Sequence, residues 1–80
     1  MTTPYPINEL FVWIVEDATR QHGIMGMMTP SGLPMQAVSS KRENMDRMEV
    51  REVAAMIAGQ VGCPVKLQRF VLAETLTEIP

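Results

Sequence analysis

The sequence contains few of the residues on which catalytic and metal sites depend. Its 80 residues include a single cysteine, Cys63, and a single histidine, His22. One cysteine excludes a disulfide within the chain, and one cysteine with one histidine cannot supply the four ligands of a structural zinc site. We therefore expect no metal and no cofactor. A lone thiol is typical of a protein of the reducing cytoplasm.

Long apolar runs and a strong charge of one sign are also missing. The chain has no stretch of about 18 apolar residues, and its N-terminus lacks the basic start and apolar core of a signal peptide. The net charge is only −2, and basic residues are interleaved with acidic ones, whereas nucleic-acid binding needs a clustered basic surface. We predict a cytoplasmic protein that binds neither membranes nor nucleic acid. The basic residues of this mixed zone are Lys41, Arg42, Arg47, Arg51, Lys66 and Arg69.

Catalytic motifs are absent as well. Glu16 and Asp17 are adjacent at the end of a predicted strand, where neighbouring side chains point to opposite faces and cannot act as a facing acid–base pair. Ser31 has no G-x-S-x-G context, and both glycine-rich phosphate-loop patterns are missing. His22 and Cys63 lie far apart in the chain, so no Cys–His pair is indicated. We predict no catalytic, cofactor-binding or metal-binding residues, and therefore no enzyme.

The stretch ELFVWIVED is the clearest strand. It is rich in β-branched and aromatic residues, and charged residues end it. Both of its faces are apolar, which is typical of a central strand that is covered on both sides. Alternation places Leu10, Val12 and Ile14 on one face, and Phe11, Trp13 and Val15 on the other.

Glycine and proline punctuate the methionine-rich segment that follows, GIMGMMTPSGLPM. The pattern predicts two strands, 24–28 and 33–39, joined by a turn at 29–32. Gly26 indicates a bulge in the first of these strands, and Pro34 indicates a sheet edge for the second. Methionine is unbranched and adaptable, so it suits the uneven gaps that such a kinked hairpin leaves.

One helix is predicted over residues 41–61. Ser40 and Glu43 match a capping box at its start, and Gly62 suits the left-handed position after its end. The apolar stripe of this helix should pack on the sheet. A last strand is predicted at 64–72. The stripe consists of Val50, Val53, Ala54, Ile57 and Val61.

The resulting order, β-β-β-α-β, predicts an α+β fold. We expect a two-layer sandwich in which one helix packs on one face of a four-stranded, mostly antiparallel sheet. The last strand can run parallel to the third through a right-handed crossover, or pair beside the first. Eighty residues are too few for two cores. We therefore expect a single domain, 1–80, with an extended lead-in at 1–8 and a C-terminal tail at 73–80.

A single helix can cover only one face of the sheet. The tryptophan and part of the hairpin methionines should then lie on the other face, and an uncovered apolar face of that size marks an interaction surface. A symmetric dimer that stacks two such faces would also compensate for the small core. Trp13→Glu would then abolish association and preserve the helix. The predicted interaction surface consists of Phe11, Trp13, Val15, Met25, Met27 and Met35.

These features favour a non-enzymatic protein–protein interaction module of bacterial or phage type, which forms a homodimer or docks a larger protein. A first alternative is a mobile-element or phage inhibitor that binds a host defence or regulatory protein. This alternative is motivated by the small size of the chain, by its lack of catalytic motifs and by its single predicted interaction surface. A second alternative is a small-ligand binder or enzyme with a pocket between the helix and the methionine-rich hairpin.

Overall fold

The computed structural model describes residues 7–80 and shows a mixed α+β chain. The α+β class and the four-stranded antiparallel sheet agree with the sequence prediction. The predicted order is incomplete, because a second sheet of two strands and a second helix are present. Most of the predicted lead-in, 1–8, lies outside the described residues. The elements are β1 (Glu9–Glu16), β2 (His22–Ile24), β3 (Gly26–Met28), β4 (Pro34–Gln36), β5 (Val38–Ser39), α1 (Arg42–Met45), α2 (Met48–Val61) and β6 (Val65–Val71).

β1 is the central strand of the larger sheet. β6 runs antiparallel along one of its edges, where Glu9 pairs with Val71 and Val15 pairs with Val65. β2 and β5 share the other edge, β2 beside the C-terminal half of β1 and β5 beside its N-terminal half. The last strand therefore pairs beside the first, which is one of the two arrangements that the sequence allows.

The methionine-rich hairpin leaves the large sheet at a junction of three backbones. The Met25 N–H donates to the Trp13 carbonyl at 2.9 Å, the Ala37 N–H to the Met25 carbonyl at 2.8 Å, and the Trp13 N–H to the Ala37 carbonyl at 3.1 Å. Met25 and Ala37 share only one hydrogen bond, because the Met25 N–H and the Ala37 carbonyl bond to Trp13 instead, and each predicted hairpin strand is split in two at these residues. The outer pieces, β3 and β4, form the second sheet.

The predicted single helix is interrupted at Asp46 and Arg47. Arg47 has extended backbone, with φ −63° and ψ 146°, and precedes the first turn of α2. In an unbroken helix the Met45 carbonyl would accept the N–H of Glu49. It accepts instead the Trp13 indole Nε1–H, at 2.9 Å in the core. The break therefore gives the buried indole its hydrogen-bond partner.

The predicted capping box does not form. α1 begins at Arg42, after Lys41, and no side chain caps it. The Ser39 hydroxyl accepts hydrogen bonds from the Lys41 N–H and from the Asn44 side chain, at 3.1 and 3.2 Å. Ser39 rather than Ser40 therefore organises the start of the helix.

The core lies between the helices and the face of β1 that carries Trp13. Trp13 is 6% exposed and Met25 is 1% exposed. Val50 and Ala54, from the predicted stripe of α2, are buried in the same cluster, and Val53 and Ile57 pack against it, whereas Val61 is 38% exposed and lies outside it. The partly buried residues that pack against the cluster are Phe11, Val15, Met27, Val53, Ile57, Val65 and Leu67.

Gly62→Ala is expected to destabilise the protein by about 1 kcal/mol, because a left-handed backbone is unfavourable for L-residues. Gly62 ends α2 at φ +75°. Gly59→Ala, inside α2, is the matched control and should stabilise by roughly 0.5–1 kcal/mol, since alanine is the better helix former. A Cβ at Gly59 would meet nothing within 4 Å. Urea denaturation measures both changes, and a Gly62→Ala variant as stable as the wild type would contradict this cap.

Candidate interaction surfaces

The face of β1 and β6 opposite Trp13 carries apolar residues, several of which are exposed. Directly paired residues of antiparallel strands point to the same face, so the register defines its members. Phe70 leaves 49% of its surface exposed, and Leu72, two residues further on, leaves 57%. We call this surface the open face; it consists of Leu10, Ile14, Ile24, Phe70 and Leu72.

The open face combines exposed apolar residues with polar and charged ones. Val12, in the middle of β1, is buried and lies between its paired neighbours Val38 and Gln68, and Gln68 is exposed. Lys66 and Glu16 lie at one end of the same face. Protein–protein interfaces generally combine apolar residues with a polar rim.

The structure corrects the predicted orientation of β1. Phe11, Trp13 and Val15 point toward the helices and lie in or against the core, rather than on an uncovered face. The residues that alternate with them form the open face instead. The physical reason is the indole N–H, which needs an acceptor once it is buried and finds the Met45 carbonyl on the helix side.

The predicted hairpin methionines take different positions. Met25 is in the core, at the three-backbone junction. Met27 and Met35 are paired in the second sheet, where Met27 packs against the core and Met35 is exposed. The structure therefore brings Met27 and Met35 together, and it places Met25 beneath the surface.

A cleft of about 540 Å³ separates the β3–β4 hairpin from the helices. It lies where the sequence predicts a pocket between the helix and the hairpin. Arg47 and Glu49 line its α2 side. Soft thioether groups adapt to apolar ligands of varied shape. We call it the methionine cleft, and its methionines are Met27, Met28, Met35 and Met45.

A second cleft, of about 570 Å³, lies between β6 and the helices, on the helix side of the sheet. Its lining combines aromatic and apolar side chains with three guanidinium groups. The Arg51 guanidinium carbon lies 5.8 Å from the centre of the Trp13 ring, within the range of a cation–π contact. We call it the arginine cleft; it is lined by Phe11, Trp13, Arg42, Arg51, Leu67, Gln68 and Arg69.

Two carboxylates partly neutralise the arginine cleft. Asp46 accepts a hydrogen bond from Arg51, and its Oδ2 lies 3.4 Å from the Arg42 Nε. Glu9 Oε2 lies 3.6 Å from the Arg69 Nη1. The hydrogen bond from Arg51, together with the positive charges of Arg51 and Arg42, holds the pKa of Asp46 below its ordinary value. Three guanidinium groups against two carboxylates leave the cleft positive, although the whole chain carries a net charge of −2.

Acid is expected to destabilise the protein below about pH 4. Arg51 lowers the folded-state pKa of Asp46, and a hydrogen bond from the Thr19 hydroxyl lowers that of Asp17. A lowered folded-state pKa contributes stability that is complete above the unfolded-state pKa, about 3.9 for aspartate, and is lost as the pH falls through the folded-state pKa. Urea denaturation at neutral pH and at about pH 3 measures the loss. A variant with Asp17→Asn and Asp46→Asn should lose less stability in acid, and an unchanged pH profile would contradict the assignment.

The residues considered for chemistry do not converge on one site. His22 is exposed on β2, with its Nε2 at 3.7 Å from Glu16 Oε2, and Cys63 is half-buried after α2. Ser31 lies in the exposed hairpin turn, where its hydroxyl is 2.9 Å from that of Thr29. Within residues 7–80, no three histidine, cysteine, aspartate or glutamate side chains are grouped to hold a metal ion. No helix in this range has the length and apolar character needed to cross a bilayer.

Sequence reasoning missed Leu10, Ile24 and Phe70 as members of an uncovered face. Both faces of β1 are apolar, so alternation alone does not tell which of them a helix covers. The one signal that could have found the covered face is Trp13. Its buried N–H needs an acceptor, and an interrupted helix supplies an unpaired carbonyl.

The surface features described above are the open face, the methionine cleft and the arginine cleft. Each combines side chains from at least two elements that are distant in the sequence. Comparison with protein-family models, with curated proteins and with solved structures finds no match to this chain.

Proposed function

We propose that this protein is a non-enzymatic protein-interaction module that forms a homodimer through its open face. The observation that carries the proposal is the exposure of Leu10, Ile24, Phe70 and Leu72 on one side of the sheet. Monomeric proteins seldom leave a contiguous apolar surface of this kind in water, and such patches mark interaction sites.

The small core and the charges of the open face favour a second copy of this chain as the partner that covers this face. Among residues 7–80 only seven apolar residues are buried, and domains with so small a core commonly gain stability by association. The charged margin of the open face carries both signs, Lys66 and Glu16. A two-fold contact therefore need not bring like charges together.

The proposal takes the chain as a two-layer unit, with the helices on one side of the sheet. Two such units would stack sheet on sheet, about 10 Å apart, with their helices on the outside. This arrangement removes the open faces from water and leaves both clefts accessible. We place the dimer in the cytoplasm, where the single thiol of Cys63 stays reduced.

Light scattering on the purified protein over the micromolar concentration range tests the proposal. We expect twice the mass of a single chain at high concentration, and a decrease toward one chain on dilution. The dye ANS, which fluoresces on exposed apolar surface, should bind more strongly as the dimer dissociates. A chain that stays monomeric at high concentration and binds no dye would contradict the proposal.

The methionine cleft favours a second candidate function, the binding of a small apolar ligand. Its volume of about 540 Å³ lies within the usual range of ligand pockets, about 300–1,000 Å³. A thermal-shift screen with short fatty acids and aromatic compounds tests this function. A ligand that raises the Tm of the wild type should fail to do so with Met35→Glu, because the substitution places a charge in the apolar lining. A screen without any such ligand would count against this candidate.

A further inference from the structure

The outer edge of β6 pairs with no other strand of residues 7–80. Among the described strands, β6 pairs with β1 alone. The Leu72 N–H donates to the Asn8 carbonyl at 2.8 Å, so the even-numbered residues direct their backbone groups toward β1. The odd-numbered residues therefore direct theirs outward, as an acceptor site for one more strand. These residues are Val65, Leu67, Arg69 and Val71.

The arginine cleft borders this same edge. Leu67 and Arg69 lie on β6 and also line the cleft, together with Phe11 from β1 and Arg42 and Arg51 from the helices. A strand that pairs with the outer edge would direct alternate side chains toward the cleft. Its best match would carry carboxylates that reach the guanidinium groups and an apolar side chain that packs against Leu67 and Phe11.

The tail of the chain, residues 73–80, has this chemistry. Its sequence AETLTEIP places Glu74, Leu76 and Glu78 on one side of an extended strand, and Thr75, Thr77 and Ile79 on the other. The tail forms no helix or strand of its own, and all of its residues are exposed. Leu76 is 86% exposed and Ile79 is 87% exposed. The tail is therefore an acidic segment with β-forming residues and no partner within the described chain.

We infer that the end of the tail of one copy adds as an extra strand to the outer edge of β6 in a second copy, with Glu78 directed to the arginine cleft and Glu74 on the approach to it. The inference rests on the proposed homodimer and assigns a second contact to it. Leu72 is fixed in its own sheet by its hydrogen bond to Asn8. From Leu72 to Glu78 an extended chain spans at most about 22 Å, well over the roughly 10 Å between stacked sheets. The tail of each copy can thus reach its partner, and the reciprocal exchange closes a two-fold dimer.

Charge reversal on each side of this contact tests the inference. The tail variant carries Glu74→Arg and Glu78→Arg, and the cleft variant carries Arg42→Glu and Arg69→Glu. Arg42 and Arg69 side chains are 68% and 64% exposed, so we expect both variants to fold, which circular dichroism checks. Each variant should dimerise with a Kd at least about tenfold higher than the wild type, because like charges then face each other in both contacts. A wild-type Kd for the tail variant would overturn the inference.

Mixing the two variants shows whether the contact is between copies. In a mixed dimer each tail meets a cleft of opposite charge, so an equimolar mixture should regain a Kd within about threefold of the wild type. If the tail folds back on its own chain, mixing changes nothing, and this result would also overturn the inference.

The failure of the inference and the failure of the proposed function give different results. If both variants form dimers with the affinity of the wild type, the proposed homodimer stands and the tail contact is contradicted. A peptide of residues 73–80, added to the full-length tail variant, should change the fluorescence of Trp13, the only tryptophan of the chain. A chain that is monomeric but shows this response would contradict the homodimer and support docking of the tail on a second chain. A peptide that gives no response would count against the inference.

Discussion

Trp13→Ala is expected to cost about 3–5 kcal/mol of stability, the range measured for loss of a large buried aromatic side chain. The indole is 6% exposed, packs in the core cluster, and donates to the Met45 carbonyl at 2.9 Å. A domain of 80 residues has a total stability of about 4–12 kcal/mol at the usual 0.05–0.15 kcal/mol per residue. The substitution should therefore unfold a large fraction of the molecules, and both helices should disappear from the far-ultraviolet circular dichroism spectrum.

Trp13→Phe separates the hydrogen bond from the packing. It keeps an aromatic ring and leaves the Met45 carbonyl without its indole donor, which should cost about 1–3 kcal/mol. Met48→Ala is the matched control, because Met48 is exposed on α2 and surface substitutions usually stay within about 0.5 kcal/mol. Urea denaturation measures all three variants. A Trp13→Ala protein of wild-type stability would show that the indole is not part of the core.

The same position distinguishes the structure from the prediction made on sequence alone. With Trp13 on an uncovered face, Trp13→Glu would abolish association and leave the helix in place. With Trp13 in the core, an unpaired carboxylate replaces the indole at a buried position, which costs several kcal/mol. We therefore expect Trp13→Glu to lose its helices. A folded, monomeric variant would favour the orientation predicted from the sequence, with Trp13 on an uncovered face.

Phe70→Lys is expected to raise the dimer Kd by at least about 100-fold, because truncation of a central aromatic residue in an interface commonly costs 2 kcal/mol or more. A two-fold contact contains the residue twice, and the new charge would be desolvated in each copy. Phe70 is about half exposed in the single chain, so the fold should survive. Light scattering gives the mass, and circular dichroism checks the helices.

Met56→Lys is the matched control for this prediction. Met56 is an exposed apolar residue of α2 that lines neither cleft. The control should keep the mass of the wild type over the same concentration range. Loss of the dimer in both variants would indicate a general effect of the added charge rather than a contact at the open face. An unchanged Kd for Phe70→Lys would contradict the open-face dimer.

Local elements were the part of the fold that could be predicted from the sequence. β1 and β6 lie within a residue or two of the predicted strands, and α2 ends at Gly62 in the left-handed conformation. The hairpin turn is closed as predicted by the Gly32 N–H, which donates to the Thr29 carbonyl at 2.8 Å. These features depend on the intrinsic backbone preferences of a few adjacent residues, so the local sequence predicts them.

The interruptions of the fold could not be predicted from local preferences. The split at Met25 and Ala37 arises because three backbones meet at Trp13. The split of the helix at Asp46 accompanies the hydrogen bond of the Met45 carbonyl to the indole. At each break, a regular local hydrogen bond is replaced by a contact with a residue far along the chain. The neighbouring residues alone therefore do not predict the break.

The sequence by itself determined that this is a small α+β protein without a recognisable catalytic motif, whose first strand is apolar on both faces. Only the tertiary structure decided which of these two faces packs against the helices. Both faces of β1 have nearly the same hydrophobicity, so local free energies do not distinguish them. The choice depends on one polar hydrogen, the indole N–H of Trp13, and on a carbonyl 32 residues away that only the folded chain brings within 2.9 Å.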